Sequence, residues 1–200
     1  MAEQHGESKG PQGEGLPPRA RHNLLKVARL AVEDAVKRRR PPSIKLTDPE
    51  LQEKQGAFVT LRMHGRLRGC IGHFTSEEPL WKTVQDVAVL SATQDPRFMD
   101  MRLRPEDLKH LQVEISVLSP LRKIDNPLDI ELGKHGIYIR RGAHSGCFLP
   151  QVAAETGWSK EEFLSYCCAS KAGLPADAWK DPNTEVLAFT AEIVSEGEQA

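Results

Sequence analysis

The chain has 200 residues and a formal net charge of −1 at pH 7, which suits one compact domain and offers no overall field toward nucleic acid or membranes. No apolar run approaches the length of a membrane span, and no signal-peptide pattern is present. The cysteines form no Cys-x-x-Cys motif, which argues against a zinc ribbon or a thioredoxin-type pair. We therefore expect a cytoplasmic protein with reduced thiols.

Residues 1–20 differ from the rest of the chain in composition. They are rich in Gly, Pro, Glu, Gln and Ser and nearly free of large apolar residues. Such a segment buries too little surface to offset the entropy lost on ordering. The sequence therefore predicts a disordered tail over 1–20 and a folded domain over 21–196.

The first predicted element is a helix over 21–39, based on apolar residues repeating at three- and four-residue steps. It ends at "KRRRPP", where cations suit a helix C-terminus and proline cannot continue the helix. The triple arginine is typical either of a solvated helix end or of a nucleic-acid contact, and we favour the solvated helix end.

A hairpin follows in "GAFVTLRMHGRLRGCIG", where polar and apolar residues alternate. A two-residue turn would pair Val59 with Cys70 and mix polar and apolar side chains on both faces. A three-residue connection pairs Val59 with Ile71 and Met63 with Leu67, which gives one apolar face. We favour the second register, in which Arg68 and Cys70 share the polar face with Thr60 and Arg62.

The remaining elements follow without a regular alternation of strand and helix. A helix beginning near Ser76 is followed by a short helix in "RPEDLKHL" and a strand in "QVEISVLSP" that directs Glu114 outward. A hairpin over "GIYIRRG" and "GCFLP", helices near 150–156 and 159–172, and a closing strand in "EVLAFTAEIV" complete the chain. This order predicts the α+β class.

Cys70 in "LRGCIG" has two interpretations. As a nucleophile it needs a thiolate, and Arg68 on the same strand face is a candidate for stabilising one. As a structural residue it is a small side chain of a type that is often buried. The adjacent Cys167 and Cys168 lie in a helical run and are expected to fill the core.

The sequence offers little basis for a metal or cofactor site. The histidines are scattered, and the chain has neither His-x-x-x-His nor His-Glu-x-x-His. "HGRLRGCIG" lacks the features of a phosphate loop, and no aromatic-rich RNA-binding strand is present. We predict no metal, no cofactor and no nucleic-acid partner.

Several motifs, taken in order, resemble those of the AMMECR family: "LRGCIG", "DPRF", "VEISVLSP", "FLPQVAAETGW" and "FLSYCCASKAGLPADAW". The resemblance covers about 22–195. It implies one α+β domain of two unequal lobes, with a mixed or antiparallel sheet, flanking helices and a cleft. Prokaryotic members are often encoded beside a Memo-like protein and a radical S-adenosylmethionine protein, which implies a shared pathway.

The resemblance also implies a set of cleft residues. The catalytic candidates are Cys70, Asp95 and Glu114. The candidates for ligand binding are Arg68, Gly69, Gly72, Arg97, Phe98, Pro150 and Gln151. "DPRF" also has a structural interpretation, in which Asp95 ends a helix, Arg97 pairs with a carboxylate and Phe98 packs. Cys147 is assigned no role.

Two functional hypotheses follow. One is an enzyme or enzyme subunit that uses Cys70 as a nucleophile or redox thiol in the cleft. The alternative is a non-catalytic module that binds a small ligand or a partner segment through backbone exposed at the glycines. The partner is then a small molecule or a protein, with the Memo-like and radical S-adenosylmethionine proteins as candidates.

Overall fold

The computed structural model describes residues 15–40, 44 and 46–197, so most of the predicted tail lies outside the described residues. The first helix, α1 (Pro18–Val36), begins three residues before its predicted start. Proline suits its first position, because the N–H that proline lacks would have no acceptor within the helix there. It also ends three residues early, because Arg38 adopts a left-handed backbone angle, φ 55°. The described residues of the tail, 15–20, precede or form the first turn of this helix.

Strands and helices alternate irregularly along the described residues. The strands are β1 (Ala57–Met63), β2 (Arg66–His73), β3 (Leu111–Leu118), β4 (Arg122–Lys123), β5 (His135–Arg141), β6 (His144–Phe148) and β7 (Glu185–Ser195). The other helices are α2 (Leu80–Thr93), α3 (Pro150–Thr156) and α4 (Lys160–Tyr166), which continues as a π-helix over Cys167–Ala172. Short 3₁₀ turns occupy Pro49–Gln52, Pro96–Met101, Pro105–His110, Pro127–Asp129 and Ala178–Lys180.

Within the described residues the seven strands form one curled sheet in the order β2-β1-β3-β7-β5-β6, with β4 paired to β7. Every pair of neighbouring strands is antiparallel. The predicted α+β class and the single domain are confirmed. α2 begins at Leu80, after Pro79, and not near Ser76 as predicted, because the serine side chain does not cap this helix.

The apolar residues form two clusters, one in each lobe. The larger cluster packs α1 and α2 against β1 and β3, and the smaller packs α3, α4 and the π-helix against β5 and β6. Cys167 and Cys168 are fully buried in the smaller cluster, which confirms their prediction as core residues. Residues 185–190 of β7 pair with β5 and residues 191–195 pair with β3, so one strand joins the two lobes.

The β1–β2 hairpin combines parts of the two predicted registers. Its turn has two residues, His64 and Gly65, with φ of 50° and 75°, so the predicted three-residue connection and the pairing of Met63 with Leu67 are wrong. A two-residue turn of this type matches the twist of the strands, and histidine tolerates the left-handed region better than most residues. A bulge at Arg68 then shifts the register, so Val59 pairs with Ile71 as predicted.

Candidate functional site

Cys70, Thr60 and Glu114 form a row across three neighbouring strands. Thr60 in β1 lies opposite Cys70 in β2 and, on its other side, opposite Glu114 in β3. Because residues directly opposite one another share a face, all three lie on the side of the sheet away from the buried Val59 and Leu61. The Thr60 hydroxyl donates a hydrogen bond to the Cys70 sulfur at 3.3 Å, so the half-buried thiol has a polar environment and is not enclosed in the core.

This side of the sheet curls over itself, and we call it the inner face. Phe58 and Phe74 lie on the side of Cys70 with ring centroids 5.1 Å apart, and Phe74 meets aromatic rings from the other lobe. The ring centroid of Phe74 is 5.0 Å from that of Tyr138 and 5.5 Å from that of Phe189. The inner face thus has an aromatic end, and the row of Cys70, Thr60 and Glu114 lies beside it.

Asp95 follows the C-terminal end of α2 and is only 3% exposed. Its carboxylate accepts a hydrogen bond from the backbone N–H of Cys70 at 2.8 Å and from that of Arg97 at 3.1 Å. It also accepts from the Arg97 side chain, from Nε at 2.9 Å and from Nη2 at 2.6 Å. The hydrogen bonds from the Arg97 side chain are the main cause that lowers the pKa of Asp95, and burial opposes them.

Arg97 is the cation next to Cys70. Its Nη2 donates to the Cys70 carbonyl at 3.1 Å, and its side chain is 53% exposed. The side-chain hydrogen bond with Asp95 is the largest cause that raises the pKa of Arg97, and the nearby Cys70 contributes a smaller increase. The guanidinium also lies over the Phe98 ring, 5.5 Å from its centroid.

Arg68, which the sequence placed next to Cys70, has a different partner. Because Arg68 is the bulge residue, its side chain does not follow the alternation of faces along β2. Arg68 instead lines a small cavity with Ser91, Phe98 and Met101 on the α2 side of the sheet. Its Nη2 donates to the Met101 carbonyl at 2.6 Å. The cation expected from Arg68 is therefore supplied by Arg97.

The two glycines of the motif are needed because of close packing within the protein. A Cβ atom on Gly69 would lie 2.1 Å from the carbonyl oxygen of Ser91 in α2. A Cβ atom on Gly72 would lie 2.4 Å from the carbonyl oxygen of Ala57 and from the Phe58 ring. These neighbours are backbone atoms or a packed ring. The space beside each glycine is therefore occupied by another part of the protein, where a ligand was expected to approach the backbone.

Glu114 and Gln151 lie farther along the inner face. Among the described residues none forms a hydrogen bond or ion pair with the Glu114 carboxylate. Gln151, in the first turn of α3 after the buried Pro150, donates to the Ser116 hydroxyl at 3.5 Å. Ser116 is two residues beyond Glu114 in β3, so both side chains lie on the inner face of the sheet. The Gln151 carbonyl oxygen is buried and has no hydrogen-bond partner among the described residues.

Cys147 is a second thiol near Cys70 that sequence reasoning did not place at the site. It pairs with Tyr138 across β5 and β6, on the edge of the sheet opposite β2. Burial raises the pKa of Cys147 to about 11, an effect that Lys171 opposes and the nearby Cys70 reinforces. Burial also raises the pKa of Cys167 and of Cys168. The sequence predicted a hairpin over "GIYIRRG" and "GCFLP", but a hairpin alone does not show the curl of the sheet that brings Cys147 toward Cys70.

The structure therefore joins Cys70, Asp95 and Arg97 by direct hydrogen bonds and connects Glu114 to them only through Thr60. Among the described residues, no three His, Cys, Asp or Glu side chains are grouped so that they could hold a metal ion. Within the same ranges, no helix has the length and apolar character needed to cross a membrane.

Comparison with known proteins gives concordant matches in sequence and in structure. The model of the family described as AMMECR1 matches residues 25–194. Protein NEQ441 of Nanoarchaeum equitans is 45% identical over 184 residues, which cover 87% of this chain and 99% of the relative. Protein MK0488 of Methanopyrus kandleri is 41% identical over 194 residues, 93% of each chain. The crystal structure of the uncharacterized protein PH0010 from Pyrococcus horikoshii superposes with a TM-score of 0.79 at 42% identity, covering 88% of this chain and 90% of that one.

Proposed function

The chain belongs to the AMMECR1 family, and from that premise we propose that it is an enzyme or enzyme subunit whose nucleophile is the Cys70 thiolate. The observation that carries the proposal is the guanidinium of Arg97, which the buried Asp95 carboxylate holds against Cys70. A cation and a hydrogen-bond donor beside a cysteine favour the thiolate, and the thiolate is the nucleophilic form. Thr60 is that donor.

Each residue then has a defined part. Asp95 positions Arg97 and the Cys70 backbone, and its hydrogen bonds and lowered pKa make it a poor general base. The Cys70 thiolate attacks an acyl carbon of the substrate, a carbon–sulfur bond forms, and the bond from that carbon to its alkoxide or amine leaving group breaks, with the leaving group taking a proton from solvent. Attack by water or an amine on this acyl adduct then breaks the carbon–sulfur bond and returns the thiolate. Glu114, whose oxygens have no partner among the described residues, accepts the proton of the water or amine that resolves this adduct. The unpartnered carbonyl oxygen of Gln151 accepts a hydrogen bond from the substrate.

The same oxygen of Gln151 also favours the second candidate, a module that binds a small ligand without chemistry. A buried acceptor without a donor costs free energy, and a ligand N–H or O–H would supply the donor. In that case Cys70 only lines the binding site and takes no part in a reaction. The two candidates differ in whether Cys70 is more reactive than the other thiols.

Thiol alkylation tests the proposal. We expect iodoacetamide at neutral pH to modify Cys70 before Cys147, Cys167 or Cys168, because burial keeps those three thiols protonated. Arg97→Ala should slow the modification of Cys70 severalfold, because it removes the cation held beside this residue. Peptide mass spectrometry over a time course measures each site separately.

The matched control is Arg68→Ala. This variant removes a guanidinium from the hairpin that carries Cys70, but that guanidinium binds the Met101 carbonyl. It should leave the rate at Cys70 unchanged. Equal slowing by the two variants, or labelling of Cys70 no faster than that of Cys147, would contradict the nucleophile and favour the binding module.

We also propose, from the family resemblance, that the protein acts in one pathway with a Memo-like protein and a radical S-adenosylmethionine protein. Support for this comes from the gene neighbourhoods of prokaryotic members. Size-exclusion chromatography of this chain mixed with purified Memo-like protein from the same genome tests for a complex. Separate elution at concentrations of tens of micromolar would count against a stable assembly.

A further inference from the structure

We propose that a groove at the C-terminal ends of α1 and α2 binds a segment of a partner protein that carries acidic and large apolar side chains. The groove has a volume of ≈ 870 Å³ and is bordered by the ends of both helices and by residues 99–107. We call it the Met–Arg groove. It is distinct from the inner face, because it lies on the α2 side of the sheet.

The apolar part of the groove is exposed to an unusual degree. Met99 is 41% and Met101 is 51% exposed, whereas most large apolar side chains of the described residues are buried or half-buried. Val36 and Leu103, both half-buried, continue the apolar surface between them. Methionine side chains adapt to different partners, and methionine and arginine are both enriched in protein interfaces.

The charge of the groove comes from arginines without acidic partners. Arg38 and Arg102 line it, both are exposed, and neither forms an ion pair with a described residue. Arg39 and Arg40 follow Arg38 directly and are also exposed and unpaired within the described part of the chain. This concentration of positive charge contrasts with the net charge of −1 for the whole chain.

The acidic residues of the groove are mostly engaged with Arg104. The Asp107 carboxylate accepts a hydrogen bond from the Arg104 backbone at 2.9 Å, and Glu106 is 3.8 Å from the Arg104 guanidinium. Asp100 is the one other acid of the lining. The lining therefore contains two arginines without an acidic partner and one unengaged carboxylate, and Arg39 and Arg40 add positive charge directly after Arg38. The complementary partner is acidic.

The chemistry of the lining favours a protein segment over a nucleic acid. Single-stranded nucleic acid binds through base stacking on aromatic rings in addition to phosphate contacts. None of the groove's described lining residues is aromatic. A segment with leucine or phenylalanine anchors between glutamates or aspartates would match both the methionines and the arginines.

Binding of a labelled model peptide tests this inference. The probe is a short fluorescein-labelled peptide in which glutamates alternate with pairs of leucines, and fluorescence anisotropy measures its binding to the full chain. We expect saturable binding that weakens as salt is added, because exposed charges are screened. Arg38→Glu combined with Arg102→Glu should weaken it at least about tenfold, and Met99→Ser combined with Met101→Ser should do the same.

The matched control is Arg66→Glu, a charge reversal of an exposed arginine in the β1–β2 hairpin outside the groove, which should leave the affinity unchanged. Circular dichroism establishes that every variant is folded. The inference is overturned if the peptide does not bind, if Arg66→Glu weakens binding as much as the groove variants, or if a lysine–leucine peptide binds equally well. Tighter binding of a single-stranded oligonucleotide than of the acidic peptide would also overturn it.

Discussion

The Asp95 carboxylate contacts two parts of the site that belong to different elements. One oxygen binds the backbone N–H of Cys70 in β2, and both oxygens bind the Arg97 side chain in the turn after α2. A single buried acid thereby fixes the strand that carries the thiol relative to the cation beside it. Charge-assisted hydrogen bonds of this kind are stronger than neutral ones.

Asp95→Asn tests the positioning role through the pH dependence of stability. The folded-state pKa of Asp95 lies below its unfolded value, so its contribution is fully present above the unfolded pKa and is lost as pH falls through the folded pKa. At pH 7 we expect the variant to lose about 2 kcal/mol of unfolding free energy, the range for hydrogen bonds to charged groups. The difference from the wild type should shrink below pH 4.

Urea unfolding at several pH values measures this difference. Asp100→Asn is the control, since Asp100 is exposed and has no described partner, and its effect should be small at every pH. A loss for Asp95→Asn that stays the same from pH 7 to pH 3 would mean that the carboxylate charge is not responsible.

At this scale the sequence predicted part of the site. Alternation along two strands was enough to place Cys70 and Thr60 on one face, because the side-chain period of a strand is fixed at two. The position of Arg97 depends on the path of the chain after α2, which brings it back to a residue 27 positions earlier. Such a return has no local signature in the sequence. The family motif "DPRF" therefore included Arg97 as a candidate, whereas the spacing along β2 favoured Arg68 as the cation beside Cys70.

At the scale of elements, the β1–β2 hairpin satisfies two local preferences that conflict. The twist of the strands favours a two-residue turn, and the apolar pattern favours the register that follows from a three-residue connection. Inserting Arg68 as a bulge allows both, because it adds one residue to β2 between Leu67 and Gly69, within the motif. The sequence defined the two alternatives, but a bulge within one strand leaves the apolar pattern on either side of it intact and is therefore hard to recognise.

The start of α1 shows where composition was a poor guide. The Leu16 backbone N–H donates to both oxygens of Glu192 in β7, at 3.0 and 2.9 Å, and Ala20 is 1% exposed. The small apolar content of the segment hid these contacts, since a backbone N–H and an alanine need little side-chain surface. The sequence predicted a disordered tail over 1–20, and we now expect residues 15–20 to contribute to the stability of the domain.

At the scale of the whole molecule, this contact connects the beginning of the described chain to its last strand. A variant that begins at Arg21 should melt about 2–4 °C below a variant that begins at Gly15, because it lacks the first turn of α1 and the hydrogen bonds to Glu192. Differential scanning calorimetry of the two truncated proteins isolates the contribution of residues 15–20. Glu192→Gln in the longer variant weakens the hydrogen bonds from Leu16 and also removes the ion pair with Arg21, so it should lower the melting temperature as well.

Identical melting temperatures for the two truncated proteins would contradict this expectation. They would show that the contact is not maintained in solution and would restore the original prediction. A loss that Glu192→Gln does not share would assign the effect to the buried Ala20 and not to the hydrogen bonds.

The central position of β7 has a consequence for protein synthesis. β7 is the last strand in chain order, yet it lies between β3 and β5 and pairs with both. Until the ribosome has released residues 185–195 from its exit tunnel, β3 and β5 of the nascent chain each present an open edge. Unpaired edges of this kind attract other strands, and pairings between distant parts of a chain form slowly. The period during translation when β3 and β5 are most exposed to mispairing therefore ends only when β7 emerges.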